Sequence, residues 1–327
     1  MAYRLRPAKP FTAEFRSVAE SQFSHAIRLL EEQPDGPHEA VHDARKRFKR
    51  LRALYRLVQP DAKEFRRREN DRIREMAKTL SAVRDATALV ETVNYLAEHA
   101  GSPEEMAALA VASKALTERR DRIASEEHDL PAKMAAAAKT CREAIAALQD
   151  LDLDDNPHRT AKRLAKAWKK QRLKAHGALA ACEAHADAEA YHELRKCGQT
   201  YWMHLSLAGG IWPSAMLAKQ REAKELVDLL GHEHDLSVLT GLVNENPELF
   251  GDGDTLALIL GAIIARQQTL RHEALEKARE VFADGADAES GFVSLLWEKA
   301  ATASRRKRKA GAYKANGKAD KETALRG

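Results

Sequence analysis

The chain has 327 residues, 31% of them charged and only 6% aromatic, and its 54 Lys and Arg against 49 Asp and Glu leave a net charge of +5. That length admits two domains, and the dominance of Ala, Leu, Glu, Lys and Arg, with 16 Gly and 10 Pro, excludes a sheet-rich protein and predicts an all-α fold. Three cysteines (Cys141, Cys182, Cys197) without a CxxC spacing exclude a disulfide framework or zinc knuckle, and no apolar leader or eighteen-residue apolar run is present, so the chain reads as cytoplasmic with no membrane partner.

Apolar spacing of helical period, punctuated by Pro and Gly, predicts about five helices per half. In chain order they run roughly 11–33, 38–58, 62–98, 103–128 and 132–149, then 158–183, 187–207, 214–243, 254–283 and 288–308. Pro37 after "PDG" and Pro103 after "GS" suit first helical turns. "DDNPHR" offers Asn156 as an N-cap with Pro157 at the first helical position. The acidic link "DLDLDDN" divides a first bundle, 10–150, from a second, 156–308. From the last lysine of "SRRKRK" onward, the segment 309–327 is small, polar and aperiodic, which predicts a disordered basic tail.

The second predicted helix carries the strongest signal. "VHDARKRFKRLRALYRLV" (41–58) holds Arg45, Lys46, Arg47, Lys49, Arg50, Arg52 and Arg56 against a single acid, Asp43. At 100° per residue His42, Arg45, Lys49, Arg52 and Arg56 share one arc, while Val41, Ala44, Phe48, Leu51, Tyr55 and Val58 occupy the opposite one. The result is a positive rod about 21 Å long at 1.5 Å per residue, suited to a linear polyanion. A solvated helix face would instead mix signs for i,i+4 support.

A shift of 150 residues aligns "VHDARK" (41–46) with "YHELRK" (191–196) and "TLSAVRDATAL" (79–89) with "LLGHEHDLSVL" (229–239). His42 meets His192, Arg45 meets Arg195, Lys46 meets Lys196 and Asp85 meets Asp235. Two segments sharing one offset indicate a tandem duplication, hence two bundles of about four to five helices related by pseudo-two-fold symmetry. The second copy is thinner: Gln199, Trp202 and Ser206 stand where Lys49, Arg52 and Arg56 stood. The deficit is made up in "HRTAKRLAKAWKKQRLK" (158–174), where Lys162, Arg163, Lys166 and Lys170 fall with other cations on one face.

"VHDARKRFKRLRALYRLV" resembles the opening signature of the CHAD domain, the conserved-histidine α-helical domain. "REMAKTLSAVRDATAL" resembles its second block, and "YHELRK" with "LVDLLGHEHDLSVL" resembles the same two blocks again, so the likeness covers roughly residues 10 to 308. The resemblance implies two helical bundles around a basic central groove or pore that binds inorganic polyphosphate, with an association with polyphosphate granules. Carried onto matching positions, the ligand-facing set is His42, Arg45, Lys46, Lys49, Arg52, Arg74, Arg120, His192, Arg195, Lys196, Lys224 and Arg271. Gln199 and Trp202 depart from the basic residues expected there.

The chemistry agrees without the likeness. Each phosphate of such a chain offers charge and acceptor oxygens, which Arg forks onto and Lys meets as a point charge. Neighbouring cations should hold His42 and His192 neutral. Asp85 and Asp235 read as buried partners of Arg or backbone groups rather than catalysts. Nucleic acid is the first rival, with weak binding allowed by the same electrostatics, but Phe48, Tyr55 and Trp168 lie on the apolar side and leave no stacking platform. A metal-dependent phosphohydrolase is the second. His232 and His234 of "GHEHD" point about 200° apart on a helix, and no HExxH, GxxxxGK[ST] or GxSxG occurs, so no enzyme, metal or cofactor is expected.

Overall fold

The structure, a computed structural model, describes residues 3–303 apart from 81 and 186; the tail from 304, including "SRRKRK" and the predicted disordered segment, lies outside the described residues. Among the described residues there is no strand, and the chain is all-α. Helices α1 (Phe11–Glu32), α2 (Pro37–Arg56), α3 (Lys63–Thr79), α4 (Ala82–Ala97), α5 (Pro103–Glu126) and α6 (Leu130–Ala147) precede the acidic link. Helices α7 (Pro157–His185), α8 (Ala188–Ala208), α9 (Pro213–Glu245), α10 (Gly253–Val281) and α11 (286–303) follow it. None of the described helices is long and apolar enough to cross a membrane.

Local chemistry sets the starts. Gly36 precedes α2 at φ +90°, a left-handed conformation that favours glycine, and Pro37 opens the helix. Asn156 Oδ1 accepts from the backbone N–H of His158 at 2.9 Å. Ser102 accepts from Glu105 N–H at 3.1 Å, while Glu105 reaches back to Gly101 N–H at 2.5 Å, a reciprocal cap on α5. Asp187 and Asp252 cap α8 and α10 in the same way, each accepting from the N–H three residues on.

The single helix expected over 62–98 is instead two, α3 and α4, broken after Thr79. The end of α3 frees carbonyls that need donors. Thr79 Oγ1 donates to the Met76 carbonyl at 2.8 Å, and the Arg45 guanidinium of α2 donates to the Ala77 carbonyl at 2.7 Å. A cation at a helix C-terminus also meets the negative end of the helix dipole.

Two hydrophobic clusters hold the helices, and both draw on residues before and after the link. The larger includes Phe15, Phe23, Phe48 and Tyr55 together with Trp168, Tyr201, Leu226 and Trp297. The smaller joins Val93, Leu109 and Leu116 of α4 and α5 to Leu239, Ile259 and Ile263 of α9 and α10. This packing brings α2 against α8 and α4 against α9, which positions the site.

Candidate functional site

Val41, Ala44, Phe48, Leu51 and Tyr55 are buried, so the basic arc of α2 is left facing out. Where α2 meets α8, Lys49, Arg52 and Arg56 line one wall of a shallow depression of about 100 Å³, and Lys196, Gln199, Thr200 and Met203 line the other. A second depression of about 290 Å³ opens between α4 and α9, lined by Asp85, Ala88, Leu89 and Thr92 against His234, Asp235 and Val238.

Cations from different helices crowd at this junction. Lys49 is open to water on the α2 wall of the smaller depression, facing α8. Desolvation first, then Arg195 and Arg45, pull its ammonium down to about 8, only partly opposed by Asp235. Desolvation also lowers Arg195, Arg52 and Arg56, the last two further depressed by Arg66. Arg195 Nε is buried without a hydrogen-bond partner among the described residues. Arg52 Nε donates to Asn70 at 3.1 Å and Arg56 to Gln171 of α7 at 3.2 Å.

The two histidines sit in matching settings. Arg84 Nε donates to His42 Nδ1 at 2.7 Å, which places the remaining ring proton on Nε2. His192 Nδ1 meets His234 Nδ1 at 3.2 Å, with the rings stacked 4.4 Å apart, so one nitrogen carries the proton and the other accepts. Each contact spans 42 residues of chain. Desolvation, then nearby cations, lower both His42 and His192 and take His234 to about 3, so all are neutral at neutral pH. His232 faces elsewhere and stacks on Tyr95 at 4.1 Å.

The other predicted residues divide by setting. Arg45 spans the α3 terminus and lies 3.9 Å from Asp85, which is exposed rather than buried as expected; Asp235 is half-buried and its carboxyl is pushed up by desolvation. Lys46 pairs with Asp43 at 2.8 Å and Lys196 with Glu193 at 2.6 Å, both on the surface. Arg74 and Arg120 pair with adjacent acids, Glu75 and Asp121. Lys224 pairs with Asp228 and lies over Trp202 at 5.9 Å. Arg271 holds the buried Glu233 at 2.8 Å and lies over Tyr191, a structural setting. Lys162, Lys166 and Lys170 are exposed on α7.

Arg163 departs from its expected place on that solvent face. Its side chain is 1% exposed, Nε donates to Asp61 at 2.6 Å, Nη2 donates to the Asp154 carbonyl, and the guanidinium packs over Phe11. It joins the link to the turn between α2 and α3 and offers nothing to a ligand.

Among the described residues one grouping has metal-like spacing: ligand atoms of Glu39, His42 and Asp43 lie within 4.8 Å of one another. Asp43 already accepts from Lys46, and the His42 lone pair is taken by Arg84. As folded, the trio lacks a free imidazole nitrogen for a cation.

The sequence reading missed Arg84 and His234, the residues that contact the two histidines. The signal was present, because they occupy the same column of the aligned blocks, 84 against 234 at the shift of 150. Comparison with known proteins fits this geometry. The CHAD domain family model matches residues 17–244, more than half of the chain, and the chain belongs to that family. A search of the curated proteins finds no match. The CHAD domain is linked to polyphosphate binding and is generally a binding rather than a catalytic domain.

Proposed function

We propose that the chain binds inorganic polyphosphate, without chemistry on it, along a basic groove between α2 and α8. The observation that carries this reading is geometric: Lys49, Arg52 and Arg56 of α2 face Lys196 of α8 across one depression, and desolvation holds Lys49, Arg52, Arg56 and Arg195 below their usual basicity. Such crowding costs the unliganded fold stability, and a bound polyanion would relieve it. The ligand set is His42, Arg45, Lys49, Arg52, Arg56, Arg84, His192, Arg195 and Lys196, with Lys46, Lys162, Lys166 and Lys170 extending the field. Arg163 and Arg271 drop out because each serves a carboxylate of the fold.

The division into bundles 10–150 and 156–308 by tandem duplication, their pseudo-two-fold relation and targeting to polyphosphate granules belong to the same proposal. Nucleic acid is disfavoured: Phe48, Tyr55 and Trp168 are buried, and Lys224 lies over Trp202, so none of these aromatics near the basic arc offers a bare platform for bases. Calorimetric titration with long-chain polyphosphate and with single-stranded DNA, at about 150 mM and about 500 mM salt, tests the reading. Polyphosphate binding that survives the higher salt while DNA binding vanishes supports it. Equal affinities that collapse together refute it.

A further inference from the structure

We propose that the outer face of α11, together with the basic run that follows it in the sequence, is a docking surface for an anionic lipid bilayer, which the chain touches without spanning. This differs from the expectation of no membrane partner, which rested on the want of a spanning segment, and it is independent of the polyphosphate reading.

The inner face of α11 (286–303) anchors the helix. Val293, Trp297 and Ala301 enter the larger hydrophobic cluster, and Trp297 meets Phe11 edge-on at 6.0 Å. Glu289 is buried, accepts from the Tyr201 hydroxyl at 2.6 Å and pairs with Arg172 of α7 at 2.6 Å. The stripe that the fold needs is therefore satisfied, yet the outer face is apolar as well. Phe292 is 61% exposed, more than any other large apolar side chain among the described residues, and Leu295 is 49% exposed. Three residues apart, the two are neighbours on the helix surface. The exposed positions of α11 after Asp287 are Ala288, Gly291, Phe292, Leu295, Lys299 and Ala303, with no acid among them. In a chain that is 31% charged, a helix face of this composition marks a contact surface.

Cations border it. Helix α7 runs antiparallel beside α11, since His158 pairs with Glu298 at 3.1 Å and Lys169 pairs with Asp287. On α7 the exposed Lys162 lies about 40° from His158 and about 20° from Lys169, so it too stands on the side towards α11. Lys299 stands on α11 itself, and Arg305, Arg306, Lys307, Arg308 and Lys309 follow the helix in sequence without an intervening acid. Like charges at that density suit an equally dense array of anions. A nucleic acid or a phosphate chain supplies the anions but no apolar layer for Phe292 and Leu295. A bilayer with anionic headgroups supplies both. Phe and Leu entering the headgroup boundary, with Lys and Arg reaching the phosphates on their long stems, is how interfacial helices bind. Each cation near an anionic surface strengthens such binding about fivefold.

The test is flotation of the full chain at about 150 mM salt with two kinds of vesicle, phosphatidylcholine alone and phosphatidylcholine with about 30% phosphatidylglycerol. One variant carries Phe292→Ser with Leu295→Ser. The other carries Arg305→Gln, Arg306→Gln, Lys307→Gln, Arg308→Gln and Lys309→Gln. Both leave the buried face of α11 intact, and urea midpoints check that they are folded. The expected result is binding to the anionic vesicles and not to phosphatidylcholine alone, about tenfold weaker in the first variant and lost in the second, with the first variant's polyphosphate affinity unchanged. Failure of the wild type to float with anionic vesicles overturns the proposal. So does full vesicle binding by the first variant, because the basic run then acts as a generic polycation. Self-association that the first variant abolishes, without vesicle binding, gives the face to a second copy of the chain instead.

Discussion

Replacing Lys49 by Met should stabilise the empty protein and weaken its polyphosphate complex. Methionine keeps an unbranched apolar stem of similar reach while removing the charge. The gap between the usual 10.5 and about 8 would be worth about 3.4 kcal/mol for a group fully withdrawn from water. Lys49 is open to solvent, so screening cuts this to about 1 kcal/mol. The sign follows from proton counts. Below about pH 8 Lys49 is charged in both the folded and unfolded states, and the folded state bears the full cost. As pH rises from about 8 towards 10.5 the folded state releases its proton first, so the wild type gains stability and the gap to Lys49→Met closes. Urea unfolding at pH 7 and pH 10, with and without saturating polyphosphate, reads all of this. Lys49→Met less stable than wild type at pH 7 without ligand, or a gap that does not narrow at pH 10, would refute the reasoning.

Arg84→Leu should lower polyphosphate affinity and flatten its salt dependence by about one unit of slope, read by titration across a salt series. Arg163→Leu should cost about 3 kcal/mol in urea unfolding, since the buried guanidinium bridges Asp61 and Asp154, yet leave affinity per folded molecule unchanged. An affinity loss there would put Arg163 back in the ligand set. His204 is buried, bonded to the Ala53 carbonyl at 2.9 Å, and lowered to about 4 by desolvation. The unfolded chain therefore takes up this proton first, and stability falls as pH drops from 6.5 towards 4 by up to about 3 kcal/mol. His204→Gln, which can still donate to Ala53, should flatten that acid limb in pH-dependent unfolding.

Helix positions and the buried arc of α2 were legible because they depend on local apolar period and caps. Asn156 with Pro157 marks the start of α7, and Phe48, Leu51 and Tyr55 lie on the buried face that the wheel assigns them. The break after Thr79 was not legible, because the donor that eases it is Arg45, more than thirty residues away in sequence. Arg163 misled for the same reason. On the α7 wheel it lies with the lysines, but it borders buried Thr160 and Ala167, and its partner Asp61 is 102 residues distant. The repeat offset aligned His42 with His192, yet no sequence pattern says that Lys49 of one segment lies beside Arg195 of the other. Long-range pairing of like charges is a property of packing, and it is the property on which the proposed site turns.

That pairing also gives a reason for the thinner second segment. At the shift of 150 Lys49 meets Gln199, Arg52 meets Trp202, Arg56 meets Ser206 and Arg84 meets His234. Gln199 and Lys49 line the same depression, so a second lysine at 199 would add a like charge where desolvation, Arg195 and Arg45 already depress Lys49. At a separation of about 6 Å and an effective dielectric near that of a protein surface, two such charges would repel by about 2–3 kcal/mol before salt screening. Gln199→Lys should accordingly move Lys49 further below about 8, measured by heteronuclear NMR of the lysine side chains, and should destabilise the protein at pH 7 more in low salt than in high. Polyphosphate should restore more stability to this variant than to wild type, because it neutralises one more cation. If Lys49 instead titrates unchanged in Gln199→Lys, the two positions do not share a field, and neutrality at 199 has no electrostatic cause.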